Sequence, residues 1–187
     1  MTDSQGVRHT DIEQLAELVR ARNANEVAIS RVIGRPAQIG HIGEYIASKI
    51  FGIKLEESAV HPGSDGRFID GPLAGNSVNI KMYGKREGLL DIREKYVPDY
   101  YLVLSGPKSA LLTSKGATRP WVIEEVFLFD APALVERLRQ RGVKLGVATS
   151  VVSAEWEAAR IYPSLETAPL NITEDQERVL KLFKGTQ

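Results

Sequence analysis

The 187-residue chain contains no cysteine. A disulfide framework, a thiolate zinc site and a cysteine nucleophile are thereby excluded, and any metal must be held by oxygen or imidazole. Net charge is also missing, because 24 Lys+Arg balance 24 Asp+Glu. That removes a broadly basic coat drawn to phosphates, though not a local basic groove. No apolar run approaches the roughly 20 residues needed to cross a bilayer, and Met1 to Asp11 lacks the basic-then-apolar order of a secretory signal. The expectation is a cytoplasmic protein with no membrane partner. The three histidines, His9, His41 and His61, show no metal-ligand spacing, which argues against zinc and for structural or surface roles.

What is present suffices for a core. Hydrophobic residues make up 43% of the chain and charged residues 26%, the latter dispersed rather than blocked, so the chain folds. Its length suits one domain over 1–187, with a helical N-terminal extension (1–35), a central segment (36–104) and a remainder of strands and helices (105–187).

Thr10 and Glu13 have capping-box spacing before the stripe Ile12, Leu15, Ala16, Val19, which predicts a helix from Thr10 to Arg22 ended by Asn23 to Asn25. A short second helix is expected over Glu26 to Ile33, stopped by Gly34, and a third from about Pro36 to Phe51 before Gly52. The period then changes. Gly66 to Ile69, Ser77 to Tyr83, Tyr100 to Leu104, Trp121 to Phe129 and Val143 to Val152 read as strands, with Lys85 to Pro98 a polar loop. Asp130, Ala131 and Pro132 open a helix to about Arg141, Ala154 to Arg160 forms another, and Thr173 with Gln176 caps a terminal helix to about Lys184. This order predicts an α/β fold with a central mixed sheet flanked by helices and a helical N-terminal region.

One strand stands out chemically. In Ser77 to Tyr83, side chains alternate between faces, so Val78, Ile80 and Met82 enter the core while Asn79, Lys81 and Tyr83 share the opposite face. A hairpin turning through Asp70 to Gly75 brings Asp65 back beside Asn79. Asp70 is the alternative acid, although Asp70-Gly71 is the better turn signal. Glu44 shares a helix face with Ala47 and Phe51, roughly opposite Ile39, Ile42, Ile46 and Ile50, so both sides of that helix are expected to be covered.

Gly43-Glu44 on a helix, Gly63-Ser64-Asp65-Gly66 opening a strand and Asn79-Ile80-Lys81 on the next strand resemble the PD-(D/E)XK phosphodiesterase superfamily, the restriction-endonuclease-like fold. The resemblance spans Gly40 to about Leu104. It implies hydrolysis of DNA with a divalent cation, Mg2+ or Mn2+. It also implies Asp65 and Asn79 as metal ligands, Glu44 as a further ligand or as a group held behind the ligands, and Lys81 as the group that orients and helps deprotonate the attacking water. Such an all-oxygen site suits a hard cation, which keeps several waters and needs only one or two carboxylates. Asn79 departs from the usual acid at its position, so the site carries a neutral amide in place of a third carboxylate. Ser64 stands where the family has Pro, which does no chemistry.

Tyr83, Lys85 and Arg86, followed by Arg93 and Lys95, and separately Arg20, Arg22, Arg31 and Arg35, are candidate contacts to a nucleic-acid backbone, though each group also reads as a solvated charged face. Asn23 to Ala47 can be read as a helix-turn-helix, against which its proposed reading helix is dominated by isoleucine. Trp121 and Trp156 read as core. The principal expectation is a metal-dependent DNA endonuclease of restriction or DNA-processing type. The alternatives are a catalytically inactive DNA-binding or scaffold protein of the same fold, and a fold with no nucleic-acid role. Cutting both strands of a duplex calls for two sites, which fits a homodimer.

Overall fold

The computed structural model describes residues 6–56, 63–108, 119–165 and 168–185. His61 lies outside them, and so does the side chain of His9. By contacts the chain divides into residues 1–42 and 43–187.

The first segment is built on α1 (Gly6–Ile33), a single 28-residue helix. The predicted break at Asn23 to Asn25 does not occur. Asn costs only a few tenths of a kcal/mol more than its neighbours in a helix interior, and here the Arg22–Glu26 ion pair at 3.0 Å bridges the place where the helix was expected to end. The two short helices are therefore one, which removes the first turn of the helix-turn-helix reading. Thr10 sits within the helix rather than capping it. Gly34 ends it as expected, with φ 71° and its N–H on the Ser30 carbonyl at 2.8 Å. His41 Nδ1 lies 2.9 Å from the Pro36 carbonyl, a structural role.

Helix α2 (Ile39–Ile50) runs into the second segment, where Gly43, Ile46, Ala47 and Ile50 are buried. The strands that follow are β1 (Ile53–Leu55), β2 (Gly66–Phe68), β3 (Ser77–Tyr83), β4 (Leu89–Leu90), β5 (Tyr100–Ser105), β6 (Glu125–Asp130), β7 (Thr149–Ser150) and β8 (Arg160–Tyr162). The helices among and after them are α3 (Ala131–Gln140), α4 (Ser153–Ala159) and α5 (Glu174–Lys181). Six strands form a mixed sheet in the order β1-β2-β3-β5-β6-β8, and β4 pairs with β7 apart from it. The fold is α/β with a mixed sheet and a helical N-terminal region, as the sequence predicts. Among the described residues no helix is long and apolar enough to cross a membrane.

The centre of the sheet is β5 and β6, nearly continuous apolar runs buried on both faces. On one face Tyr101, Val103, Phe127 and Phe129 pack under Leu134, Leu138 and Trp156 from α3 and α4. The Trp156 ring meets Phe127 and Phe129 edge-on, at centroid distances of 4.8 and 5.1 Å. Trp156 is core as expected. Trp121 is not, being 42% exposed in the irregular stretch before β6, which starts at Glu125 rather than at 121. Val143 to Val152 forms a strand only at Thr149–Ser150, because Gly142, Gly146 and Ala148 take positive φ and Thr149 Oγ1 ties back to both Gly146 N–H and C=O. The caps expected for the two later helices hold: Asp130 accepts from Ala133 N–H, and Thr173 and Gln176 form a reciprocal capping box. Gln176 Nε2 also donates to the Ile50 carbonyl at 2.8 Å, satisfying one of the open acceptors at the end of α2.

Helix α2 reaches β3 through a glycine. A Cβ on Gly43 would come within 2.6 Å of Met82 Cβ, so the helix backbone lies directly on the strand. Gly43→Ala gains up to about 1 kcal/mol of helix propensity. The overpacking, about 1–3 kcal/mol, is not relieved by any rotamer because both atoms are Cβ. Denaturant unfolding of this variant is expected to give a net loss of stability.

Candidate active site

The β2–β3 register, with Gly66 opposite Val78 and Arg67 opposite Ser77, sets Asp65 beside Asn79. Asp65 N–H donates to the Val78 carbonyl at 2.9 Å, the last backbone bond of that ladder, and Ser64 Oγ donates to the Gly66 carbonyl at 3.0 Å. Beyond it β2 has ended while β3 continues. The Asp65 side chain takes over: its Oδ2 accepts from Ile80 N–H at 2.6 Å and fills the place that a further strand carbonyl would hold. Burial in β3 alternates as the sequence predicts, with Val78, Ile80 and Met82 inside and Asn79, Lys81 and Tyr83 half-buried.

Asp65, Asn79, Lys81 and Glu44 line one cavity of about 650 Å³. Burial pushes the Asp65 carboxyl up from its ordinary value. The Ile80 N–H pulls it back, the nearby Glu44 carboxylate raises it further, and Lys81 and Arg93 oppose that rise. Lys81 is lowered, chiefly by burial, against the pull of Asp91 and Asp65, while Arg93 adds to the lowering. Its Nζ lies 5.6 Å from the Tyr101 ring centroid. Asn79 Oδ1 is buried and has no hydrogen-bond partner. A buried amide oxygen left open costs free energy that a bound group or water would recover. Asp70 stands at the hairpin tip and does not line the cavity, so Asp65 is the acid that joins the others.

Two cavity residues are not marked by the sequence, Asp91 and Tyr96 from the segment after β4; Arg93, between them and also on the cavity wall, is one of the predicted backbone contacts. Asp91 Oδ1 accepts from Ala148 N–H at 2.8 Å and Oδ2 from the Tyr83 hydroxyl at 3.4 Å, while Asp91 N–H donates to that hydroxyl at 3.2 Å. The Tyr83 phenol is thus committed to Asp91, its ionisation pushed strongly upward by burial. The one available signal was a lone acid in a polar loop, and nothing local marks it.

The nucleic-acid candidates separate. Arg31 and Arg35 are exposed, and Lys85 is half-buried. Arg86 is only 6% exposed: its Nε lies 2.7 Å from Glu125 Oε2, its Nη1 3.4 Å from Glu157 Oε1, and its guanidinium 5.2 Å from the Phe127 centroid. It is a structural arginine, its charge used up inside the fold, and is not placed to meet a phosphate. Tyr83 likewise points its hydroxyl at Asp91.

No protein-family model matches the chain, and no curated protein matches it in sequence. The site therefore rests on its own geometry. Among the described residues no three His, Asp or Glu side chains form a metal-holding group. With Asp91 tied to Tyr83 and to Ala148 N–H, the remaining donors are the carboxylates of Asp65 and Glu44 and the Asn79 amide oxygen, a set that fits a hard, oxygen-seeking cation and not a soft one.

Because burial and Glu44 raise the Asp65 carboxyl, its ionisation disfavours folding. That penalty is absent below the ordinary carboxyl value of 3.8 and grows as pH rises through the elevated folded value. Asp65→Asn keeps an acceptor for Ile80 N–H without the charge. In metal-free buffer this variant is expected to melt higher than the native protein at pH 7, with the difference vanishing below about pH 4; thermal scans across that range check it.

Proposed function

We propose that the chain is a metal-dependent nuclease that hydrolyses phosphodiester bonds of DNA in the cytoplasm, an endonuclease of restriction or DNA-processing type with a site like that of the PD-(D/E)XK superfamily. The observation that carries this reading is the register that sets Asp65 against Asn79, with Lys81 two residues on and Glu44 close enough to raise the Asp65 carboxyl. Asp65, Asn79 through its open Oδ1, and Glu44 would hold Mg2+ or Mn2+. When bound, such an ion supplies Lewis-acid polarisation of a phosphoryl oxygen and a lowered pKa for coordinated water.

The residues do the rest. Asp65 is oriented by Ile80 N–H, which leaves Oδ1 for the cavity. Lys81 puts a positive charge against the negative charge that builds on the phosphoryl group. With its pKa lowered by burial, it can also exchange a proton with the attacking water more readily than a surface lysine. Exposed Arg93, on the cavity wall, supplies positive charge where a phosphate would enter.

A second reading, a catalytically inactive protein of this fold that binds DNA or serves as a scaffold, is favoured by the amide at Asn79. Plasmid and linear DNA incubated with the protein in magnesium or manganese decide between the two. Cleavage is expected, falling by about 100- to 1,000-fold in Asp65→Ala and in Lys81→Ala. Cleavage that survives both changes would remove these residues from the chemistry, and salt-sensitive binding without cleavage would favour the second reading. Asn79→Glu adds a charged ligand, and titration calorimetry should record tighter Mg2+ binding; an unchanged affinity would place Asn79 outside the ligand set.

A further inference from the structure

Helix α1 leaves a large share of its aliphatic side chains in water. Ile12, Leu15, Leu18, Val19, Val27 and Val32 are between 46% and 67% exposed, and Ile29 and Ile33 are half-buried. One exposed aliphatic residue needs no explanation, but a repeated set on one helix does. Counted in heptads, Ile12, Val19, Glu26 and Ile33 occupy one seam position, and Leu15, Arg22 and Ile29 the other. Five of these seven are aliphatic, and the two charged ones sit together at the middle, joined at 3.0 Å. Such a seam is that of a two-stranded coiled coil with a polar layer at its centre.

From Leu15 to Ile33 the sequence of that seam is complementary to itself when reversed. We infer that α1 pairs antiparallel with α1 of a second copy of this chain, about a two-fold axis near Ala24. In that register Arg22 of each copy faces Glu26 of the other, Val19 faces Ile29, and Leu15 faces Ile33. Leu18 and Val32, exposed on one flank, come together there. A parallel pair would set Arg22 against Arg22 and Glu26 against Glu26, so the central charges select the antiparallel arrangement. The interface is isologous and closes at two copies. It stands on α1 alone and is independent of the chemistry proposed for the cavity.

Sedimentation of the full chain should give twice the chain mass of 20.6 kDa. Val19→Glu should weaken association by about 100-fold or more, by placing an unpaired charge in the seam, with circular dichroism unchanged because the residue is solvent-facing in the single chain. Arg22→Glu and Glu26→Arg should each dissociate the dimer, and an equimolar mixture of the two should restore it, although neither chain regains its internal ion pair. With no native cysteine to interfere, Leu18→Cys mixed with Val32→Cys should cross-link on oxidation, and Leu18→Cys alone should not. A monomer at all concentrations, an undiminished dimer in Val19→Glu, or self-cross-linking of Leu18→Cys would overturn the inference.

Discussion

The site depends on the point at which β2 stops and β3 goes on. Strand β3 is held along its whole length by β5 on one side, whereas on the other side β2 pairs with it only at Ser77 and Val78. A strand edge left open inside a protein costs free energy for each unmet N–H. The Asp65 carboxylate meets the first of these, at Ile80, and is fixed by doing so. One hydrogen bond thus closes the ladder, aims a carboxylate and opens the space beyond it to Asn79 and Lys81. Gly43 contributes from the other side of the strand. Without a Cβ there, α2 lies flush on Met82, which brings Glu44 within electrostatic reach of Asp65.

The electrostatics of the cavity are those of a site held against its own stability. Burial pushes Asp65 and Lys81 toward their neutral forms, and Glu44 adds to the pressure on Asp65. A fold with no use for these charges would gain by replacing them with apolar side chains. From the segment after β4, Arg93 eases the cost at Asp65 but adds to it at Lys81, where Asp91 opposes it. Asp91 draws Lys81 toward its charged form, and it is itself tied to Tyr83 and to the backbone of Ala148.

The parts of this arrangement legible in the sequence are those set by local rules. Alternation in Ser77 to Tyr83 fixes which side chains share a face, and the Asp70 to Gly75 turn fixes the register that returns Asp65 to Asn79. Side-chain caps at Asp130 and Thr173 mark two helix starts. What was not legible depends on distant partners. Strands β1, β4 and β8 are two or three residues long, too short for a period to emerge, and exist because of what they pair with. Asp91 enters the cavity because β4 pairs with β7, some sixty residues on. Asn23 and Asn25 predict a break in the N-terminal helix through their preference for helix ends, whereas a ladder already running on both sides, with Arg22 bonded to Glu26 across it, outweighs a preference of a few tenths of a kcal/mol.

Arg86 shows why neutrality of the whole chain says little about any one surface. In the sequence it belongs to a basic loop; in the fold it joins Glu125, Glu157 and Arg160 in a cluster under the sheet. Arg137 with Glu155 and Arg119 with Glu87 are likewise matched at 2.7 and 2.8 Å. Charges spent this way balance one another in the total and contribute no field to attract a distant phosphate. The sum that governs a ligand is therefore taken over the side chains facing it. At the cavity that sum includes Arg93 and Lys81 against Asp65, Glu44 and Asp91, an acid excess of one. An excess of acid repels a bare phosphate, and a divalent cation reverses its sign. The metal of the proposed reading would therefore answer to this local charge as much as to the chemistry of hydrolysis.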